Sequence, residues 1–326
     1  MKRRHLSDKA GDGRGRRSNP GLLAVAAQAK QARPVFIVGE ARSGTSILYR
    51  TLQKHPSFRP RTVNLVETDI FAHLRRTFMF KPSYPESLVR FMLDDSAAYA
   101  DFLRSIRLPR AVSAVSAGPN YLLRNHPADW LWYANLSHLV VRSYFSHATR
   151  ARGCARLVEK TPTNSPHLKK LTRAFPRAQL LYIHRHPLDV FSSFRRRAAA
   201  DPNAQWAQLT PAQFCHAFGS STRRVLEWIG SGHPNLLLFG YEDFTRHPAE
   251  TFERICAFLE EPFVEQAVEE HAPNPRRWRV DPHLWSGIVA ETKSWTDYMT
   301  QAEARIIERR LRPEMAALAY EPRIAG

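Results

Sequence analysis

The feature that most narrows the fold is a short apolar run, Val35-Phe36-Ile37-Val38, which is closed by Gly39 and followed at once by Glu40-Ala41-Arg42-Ser43-Gly44-Thr45-Ser46. A β-branched run bounded by Pro34 and Gly39 reads as a buried strand. Ile47, Leu48 and Leu52 then share one face of a helix from about Thr45 to His55. A strand, a Gly-containing turn and a helix in that order curl successive backbone N–H groups around an anion, and the helix points its positive end at the same spot. The glycines allow the turn and the close approach to a phosphate.

The residue types in the turn say which anion. A nucleoside-triphosphate loop has the pattern G-x-x-x-x-G-K-[ST], and its Lys reaches the β- and γ-phosphates. Gly39 and Gly44 match, but Thr45 stands where that Lys belongs, and the loop cation is Arg42. Such a loop suits a diphosphate-like group with a terminal sulfuryl better than a triphosphate. A P-loop nucleotide kinase or NTPase is the alternative, disfavoured by the missing Lys and by the lack of a clear apolar strand ending in a Mg²⁺-binding Asp; Asp189 keeps it open.

Further along, strands and helices alternate. Arg156–Glu159 reads as a short strand, Pro166–Phe175 as a helix, Ala178–His184 as an apolar strand and Leu188–Ala199 as a helix. A helix over Pro211–Ile229, a strand over Asn235–Gly240 and a helix from Pro248 to Leu259, with Pro in its first turn, follow. This spacing predicts an α/β fold: a P-loop-like, doubly wound parallel sheet flanked by helices. Between about 62 and 152 strand signals vanish, and the segment is helical in tone and rich in aromatics, Phe71 and Phe145 among them. It reads as a helical insertion on the acceptor side with an ordinary aromatic core.

The formal charge of +18 predicts attraction to an anion, whether nucleotide, nucleic acid, acidic polymer or acidic membrane surface. Part of it sits in residues 1–33, where Lys2, Arg3, Arg4, Arg14, Arg16 and Arg17 alternate with Gly and Ser as in a disordered tail, leaving 34–326 as the folded domain. No nucleic-acid-binding motif accompanies the charge, so a basic nucleic-acid-binding protein is the weaker rival and no specific nucleic acid is expected as partner. The run Leu22–Ala27 falls short of the roughly 20 residues of a transmembrane span. A cytoplasmic protein is expected, with room for peripheral membrane contact. Cys154, Cys215 and Cys256 are far apart and lack metal-ligand spacing.

The stretch V-F-I-V-G-E-A-R-S-G-T-S resembles the 5′-phosphosulfate loop of sulfotransferases that use 3′-phosphoadenosine 5′-phosphosulfate (PAPS), whose signature is R/K-S-G-T-[ST]. The resemblance implies that Arg42, Ser43, Gly44, Thr45 and Ser46 bind the donor. The strand ending at His184 runs into Arg185-His186-Pro187-Leu188-Asp189-Val190-Phe191-Ser192-Ser193, similar to the family's 3′-phosphate element, which implies that Arg185 and Ser193 (or Ser192) bind that phosphate. Leu238-Phe239-Gly240-Tyr241-Glu242-Asp243-Phe244 resembles the family's Y-E-D segment. It implies Tyr241 near the adenine, with Glu242 and Asp243 read as structural partners of nearby arginines. Thr292-Lys293-Ser294-Trp295 and the helix carrying Ile306, Ile307, Leu311, Met315 and Tyr320 resemble the family's closing W…helix…Y element, with Lys293 either a nucleotide contact or a surface lysine.

Sulfuryl transfer is an in-line displacement through a loose transition state, with negative charge growing on the leaving oxygen. Arg42, the loop N–H groups and Lys160 are the groups expected to stabilise it. Lys160 lies in Leu157-Val158-Glu159-Lys160-Thr161-Pro162, which resembles the E-K-T/S-P motif of the bacterial and carbohydrate branch. Pro162 stands where the phenol- and steroid-type enzymes carry their general-base His. In the glycan branch that base is often a Glu after the first helix. Glu67 is the best match, with Asp69, Glu159 and His126 as competitors. No metal is expected, because a sulfuryl group carries less charge than a γ-phosphate. The expected products are PAP and a sulfated hydroxyl or amine acceptor: a carbohydrate, a glycolipid or another small metabolite.

Overall fold

The computed structural model describes residues 32–60, 67–68, 71, 141–142, 145–146, 148–150, 152–269, 288 and 294–324. Among these residues four strands form one sheet: β1 (Val35–Val38), β2 (Val158–Lys160), β3 (Gln179–His184) and β4 (Leu236–Gly240). Every pairing is parallel and the spatial order is β2-β1-β3-β4. The chain thus leaves β1 to one side, crosses back over it to β3, and continues outward to β4. In an open parallel sheet the crevice beyond the strands' C-terminal ends at such a reversal is where ligands bind. Here it lies between Val38, which pairs with Tyr182, and the end of β3 at His184.

Alternation along the strands explains the layers. Phe36, Val38, Leu180 and Tyr182 point to one face, where they pack with Phe71, Phe145, Phe175 and Trp228. Val35, Ile37, Leu181 and Ile183 point to the other, against Leu48 and Leu52 of α1 (Thr45–Lys54) and against Phe252, Ile255 and Leu259. Both faces are covered, as a near-continuous apolar strand such as Leu180–Ile183 requires. The connections carry α2 (Leu168–Ala174), α3 (Pro187–Ala200), α4 (Pro211–Gly230), α5 (Tyr241–Arg246), α6 (Pro248–Leu259), α7 (Gln266–Glu269) and α8 (Gln301–Ala317). Leu188 and Phe191 of α3, Phe214 and Phe218 of α4 and Ile307 and Leu311 of α8 make a third apolar cluster. Capping boxes start α4, at Thr210 with Gln213, and α8, at Thr300 with Glu303.

The doubly wound parallel sheet expected from sequence is present, with two local differences. The strand expected at Arg156–Glu159 begins two residues later and includes Lys160. Arg156 instead spends its guanidinium on the carbonyls of Arg33 and Leu259, on Glu261 and on Gln179. The helix expected from Pro166 starts at Leu168, after a 3-10 stretch over Pro162–His167. Pro162 and Pro166 have no N–H to donate, which favours short tight turns over an α-helix. Phe71 and Phe145 sit in the core beside Phe36. Most of the 62–152 insertion, residues 1–31, and Asp69, His126 and Lys293 lie outside the described residues. Among those residues no helix is long and apolar enough to cross a membrane.

Candidate active site

The loop after β1 is shaped by backbone that side chains rarely tolerate. Gly39 (φ 153°) presses on β3: a Cβ there would lie 2.5 Å from the Ile183 carbonyl oxygen. Gly44 (φ 98°) caps α1, and its missing Cβ leaves room for the Tyr241 ring, whose Cδ2 would stand 2.4 Å from one. Between them Arg42 takes a left-handed φ of 72°, costly for a residue with a Cβ. The Ser43 N–H closes a turn onto the Glu40 carbonyl at 3.1 Å, and Ser43 Oγ is fully buried with no hydrogen-bond partner among the described residues. A buried hydroxyl without a partner inside a loop of converging N–H groups fits an anion-binding role.

The crevice brings the second candidate set onto the first. Arg185 follows β3 directly, and its Nη1 donates to the Arg42 carbonyl at 3.3 Å. Its guanidinium lies over the Tyr241 ring, 4.5 Å from the centroid. Ser193, in the second turn of α3, accepts from Arg42 Nε at 3.1 Å. Arg42, Gly44, Arg185, Ser193 and Tyr241 therefore form one connected group. They are drawn from β1–α1, β3–α3 and β4–α5, because all three strands end at the same edge.

A fourth strand end supplies Lys160. It is the last residue of β2, 2% exposed, and it pairs with Glu67 Oε1, whose side chain is 43% exposed. A buried ammonium needs such a partner. Glu159 beside it is fully buried, accepting from the Thr68 N–H (3.2 Å), Thr68 Oγ1 (2.8 Å), Asn164 Nδ2 (2.9 Å) and the Thr161 hydroxyl. Burial pushes its carboxyl up to about 7, outweighing the Thr161 and Thr68 bonds that lower it. With its oxygens committed to this scaffold, Glu159 is a tether for residues 67–68 and 161–164. Of the two described carboxylates proposed as base, Glu67 is the one that pairs with Lys160.

Two features escaped the sequence reading. Glu40, inside the loop itself, is half-buried as a residue, but the protein packed around its carboxyl desolvates that group and pushes it up to about 7, against a lowering hydrogen bond from Ser221 of α4. A carboxylate amid anion-binding groups was the available signal. Glu242 does not pair with arginine as expected: its two oxygens accept from the Tyr320 hydroxyl at 2.8 Å and from the His186 N–H at 3.0 Å. Among the described residues no group of three or more His, Cys, Asp or Glu side chains could hold a metal ion.

Comparison with known proteins agrees with this architecture. No curated protein sequence gives a significant match. Among solved structures, the chain resembles the sulfotransferase domain from the Synechococcus PCC 7002 olefin synthase, with 20% identity and a TM-score of 0.52 over 89% of this chain and 97% of that one. It also resembles the sulfotransferase domain from the curacin biosynthetic pathway (17%, 0.51, 89% and 98%) and sulfotransferase STF9 from Mycobacterium avium (14%, 0.52, 91% and 79%). At these identities the likeness is one of fold. The model of the sulfotransferase family matches residues 34–265, most of the chain and all four strand ends that build the crevice, and the chain belongs to that family.

Proposed function

We propose that the chain transfers a sulfuryl group from PAPS to the hydroxyl of a small acceptor, with PAP as the second product. One observation carries the choice of donor: Arg42 and Arg185, on loops after two adjacent strands, are joined through the Arg42 carbonyl into a single cationic cradle, with the Arg42 side chain anchored on Ser193. Two guanidiniums around a loop that lacks the triphosphate Lys match a nucleotide with two separate anionic ends. Tyr241 adds an aromatic face beside Arg185 for the nucleoside.

In this reading Ser43, Thr45, Ser46 and the loop N–H groups hold the 5′-phosphosulfate, and Arg185 with Ser193 holds the 3′-phosphate. The acceptor oxygen forms a bond to sulfur while the bond from sulfur to the 5′-phosphate oxygen breaks, and the electron pair leaves with PAP. Arg42 and Lys160 face that growing charge. Glu67, beside Lys160, takes the acceptor proton. An acceptor of glycan or glycolipid type accords with the E-K-T-P motif around Lys160.

The test is a transfer assay with ³⁵S-labelled PAPS against a panel of sugar, glycolipid and small alcohol acceptors. Alongside it, melting temperature is measured with PAP and with ADP. Labelled product and a larger shift with PAP are expected. A larger shift with ADP and no labelled product would sink the reading.

A further inference from the structure

Behind the cradle a second polar chain ties the C-terminal segment to it. The Tyr320 hydroxyl, three residues past the end of α8, donates to Glu242 Oε2 at 2.8 Å and meets His184 Nδ1 at 2.8 Å. With the Tyr320 proton committed to Glu242, the His184 contact must run from Nδ1–H to the phenol oxygen. That requires a protonated Nδ1 and is compatible with a neutral ring, and burial holds His184 down at about 4. The other Glu242 oxygen takes the His186 N–H. The chain therefore reads His184 to Tyr320 to Glu242, with His186 donating to the same carboxylate. Its two ends are the residues on either side of Arg185.

The neighbours of Tyr320 reinforce the strap. His186 Nε2 lies 3.2 Å from the Glu321 carbonyl oxygen, and its Nδ1 accepts from the Leu188 N–H at the start of α3. Arg323 pairs with Asp189 in the first turn of α3 at 2.8 Å. The N–H groups of Arg323 and Ile324 both go to the carboxylate of Glu308, which is largely buried in α8. The Tyr320 ring packs edge-on against both histidines, with centroids 5.3 and 5.2 Å away.

We propose that Tyr320 is a positioning residue for the donor's 3′-phosphate. Its hydroxyl fixes the His184–His186 turn and the start of α5 relative to each other, and so holds the Arg185 guanidinium on the Tyr241 ring. The proposal rests on the reading of Arg185 as the 3′-phosphate ligand. The hydroxyl touches no reacting atom, so its removal weakens ground state and transition state alike. That raises KM and leaves kcat.

Tyr320→Phe in the full chain keeps the ring packing and deletes only the bonds. The experiment measures KM and kcat for PAPS, together with calorimetric affinities for PAP and for adenosine 5′-monophosphate, which lacks the 3′-phosphate. The expected result is about a tenfold rise in KM for PAPS and Kd for PAP, as for a lost hydrogen bond to a charged group. The kcat stays within about twofold and AMP affinity is unchanged. PAP affinity equal to wild type overturns the proposal, and so does an equal loss for PAP and AMP, which would make the hydroxyl a general support of the fold. Wild-type protein that neither binds PAP nor transfers sulfate overturns the donor assignment and this inference with it. An active wild type with an indistinguishable variant overturns this inference alone.

Discussion

Arg42 Nε donates to Ser193 Oγ across 3.1 Å, joining residues 151 apart in sequence. The Arg42 carbonyl meanwhile accepts from Arg185. The loop cation is therefore held at both ends, by α3 through its side chain and by the residue after β3 through its backbone, in a left-handed conformation it would not otherwise favour. If Ser193 works partly by orienting this guanidinium, its loss should be a fraction of the loss of Arg42. Ser193→Ala is expected to lower kcat/KM for PAPS about five- to tenfold, the scale of one hydrogen bond. Arg42→Ala should cost about 10²–10³ in kcat, as for removal of one transition-state donor. Steady-state kinetics check both, and a Ser193→Ala defect as large as that of Arg42→Ala would refute the hierarchy.

Gly44 offers a test through shape alone. A methyl group there meets the Tyr241 ring at 2.4 Å, and that ring is pinned beneath Arg185. Relief requires movement of the aromatic face or of the loop, and φ of 98° adds strain for any residue with a Cβ. Gly44→Ala should weaken PAP binding at least tenfold by calorimetry and lower the melting temperature by several degrees. Gly230, at the end of α4, has open space where its Cβ would be. Gly230→Ala should leave PAP affinity intact and add about 0.4–1 kcal/mol of stability.

Sequence carried the strand ends and the loop well because each is a local pattern. Val35–Gly39 and Leu180–His184 announce buried strands, and parallel pairing then forces Arg42 and Arg185 to one edge. What escaped it is what depends on distant pairing. Nothing local to Tyr320 points to Glu242, 78 residues away, or to His184, since a tyrosine after a helix is equally at home on the surface. The partner of Glu242 was misread for the same reason: arginines are plentiful, and charge alone does not say which donor the backbone brings near. The two-residue offset of β2 reflects a competition invisible in propensity, with Arg156 drawn to the Arg33 and Leu259 carbonyls and the Glu261 carboxylate.

Glu40 makes a pH prediction. Its carboxyl titrates near 7 in the fold against 4.5 as the ordinary value, with burial as the cause. The folded state therefore holds a proton the unfolded chain has released. The stability this contributes is present in full below about pH 4.5 and is lost as pH rises through about 7. An anionic donor on the same loop favours the protonated carboxyl further. PAP affinity should fall by up to about fivefold between pH 6 and 8 in wild type beyond any change in Glu40→Gln, as for a shift of up to about one pKa unit on binding. Calorimetry on both proteins across that range measures it, and parallel pH profiles would remove Glu40 from the linkage.

Glu67 and Lys160 pose the sharpest chemical question, because an ion pair can serve catalysis through either partner. Lys160 is 2% exposed at the end of β2 while Glu67 is 43% exposed, so the carboxylate is the more open member of the pair to an incoming acceptor. As a general base, Glu67 contributes most when the acceptor oxygen holds its proton tightly and little when the proton leaves unaided. Glu67→Gln should therefore lower kcat about 10²-fold or more with an aliphatic alcohol and much less with an acidic phenol, with KM for PAPS nearly unchanged. If Glu67 acts only by holding the Lys160 ammonium in place, the defect will be the same for every acceptor and will match that of Lys160→Ala. Measuring kcat for wild type and Glu67→Gln over acceptors spanning several units of hydroxyl pKa separates the two: a steep dependence in the variant identifies a proton acceptor, and parallel lines identify a brace.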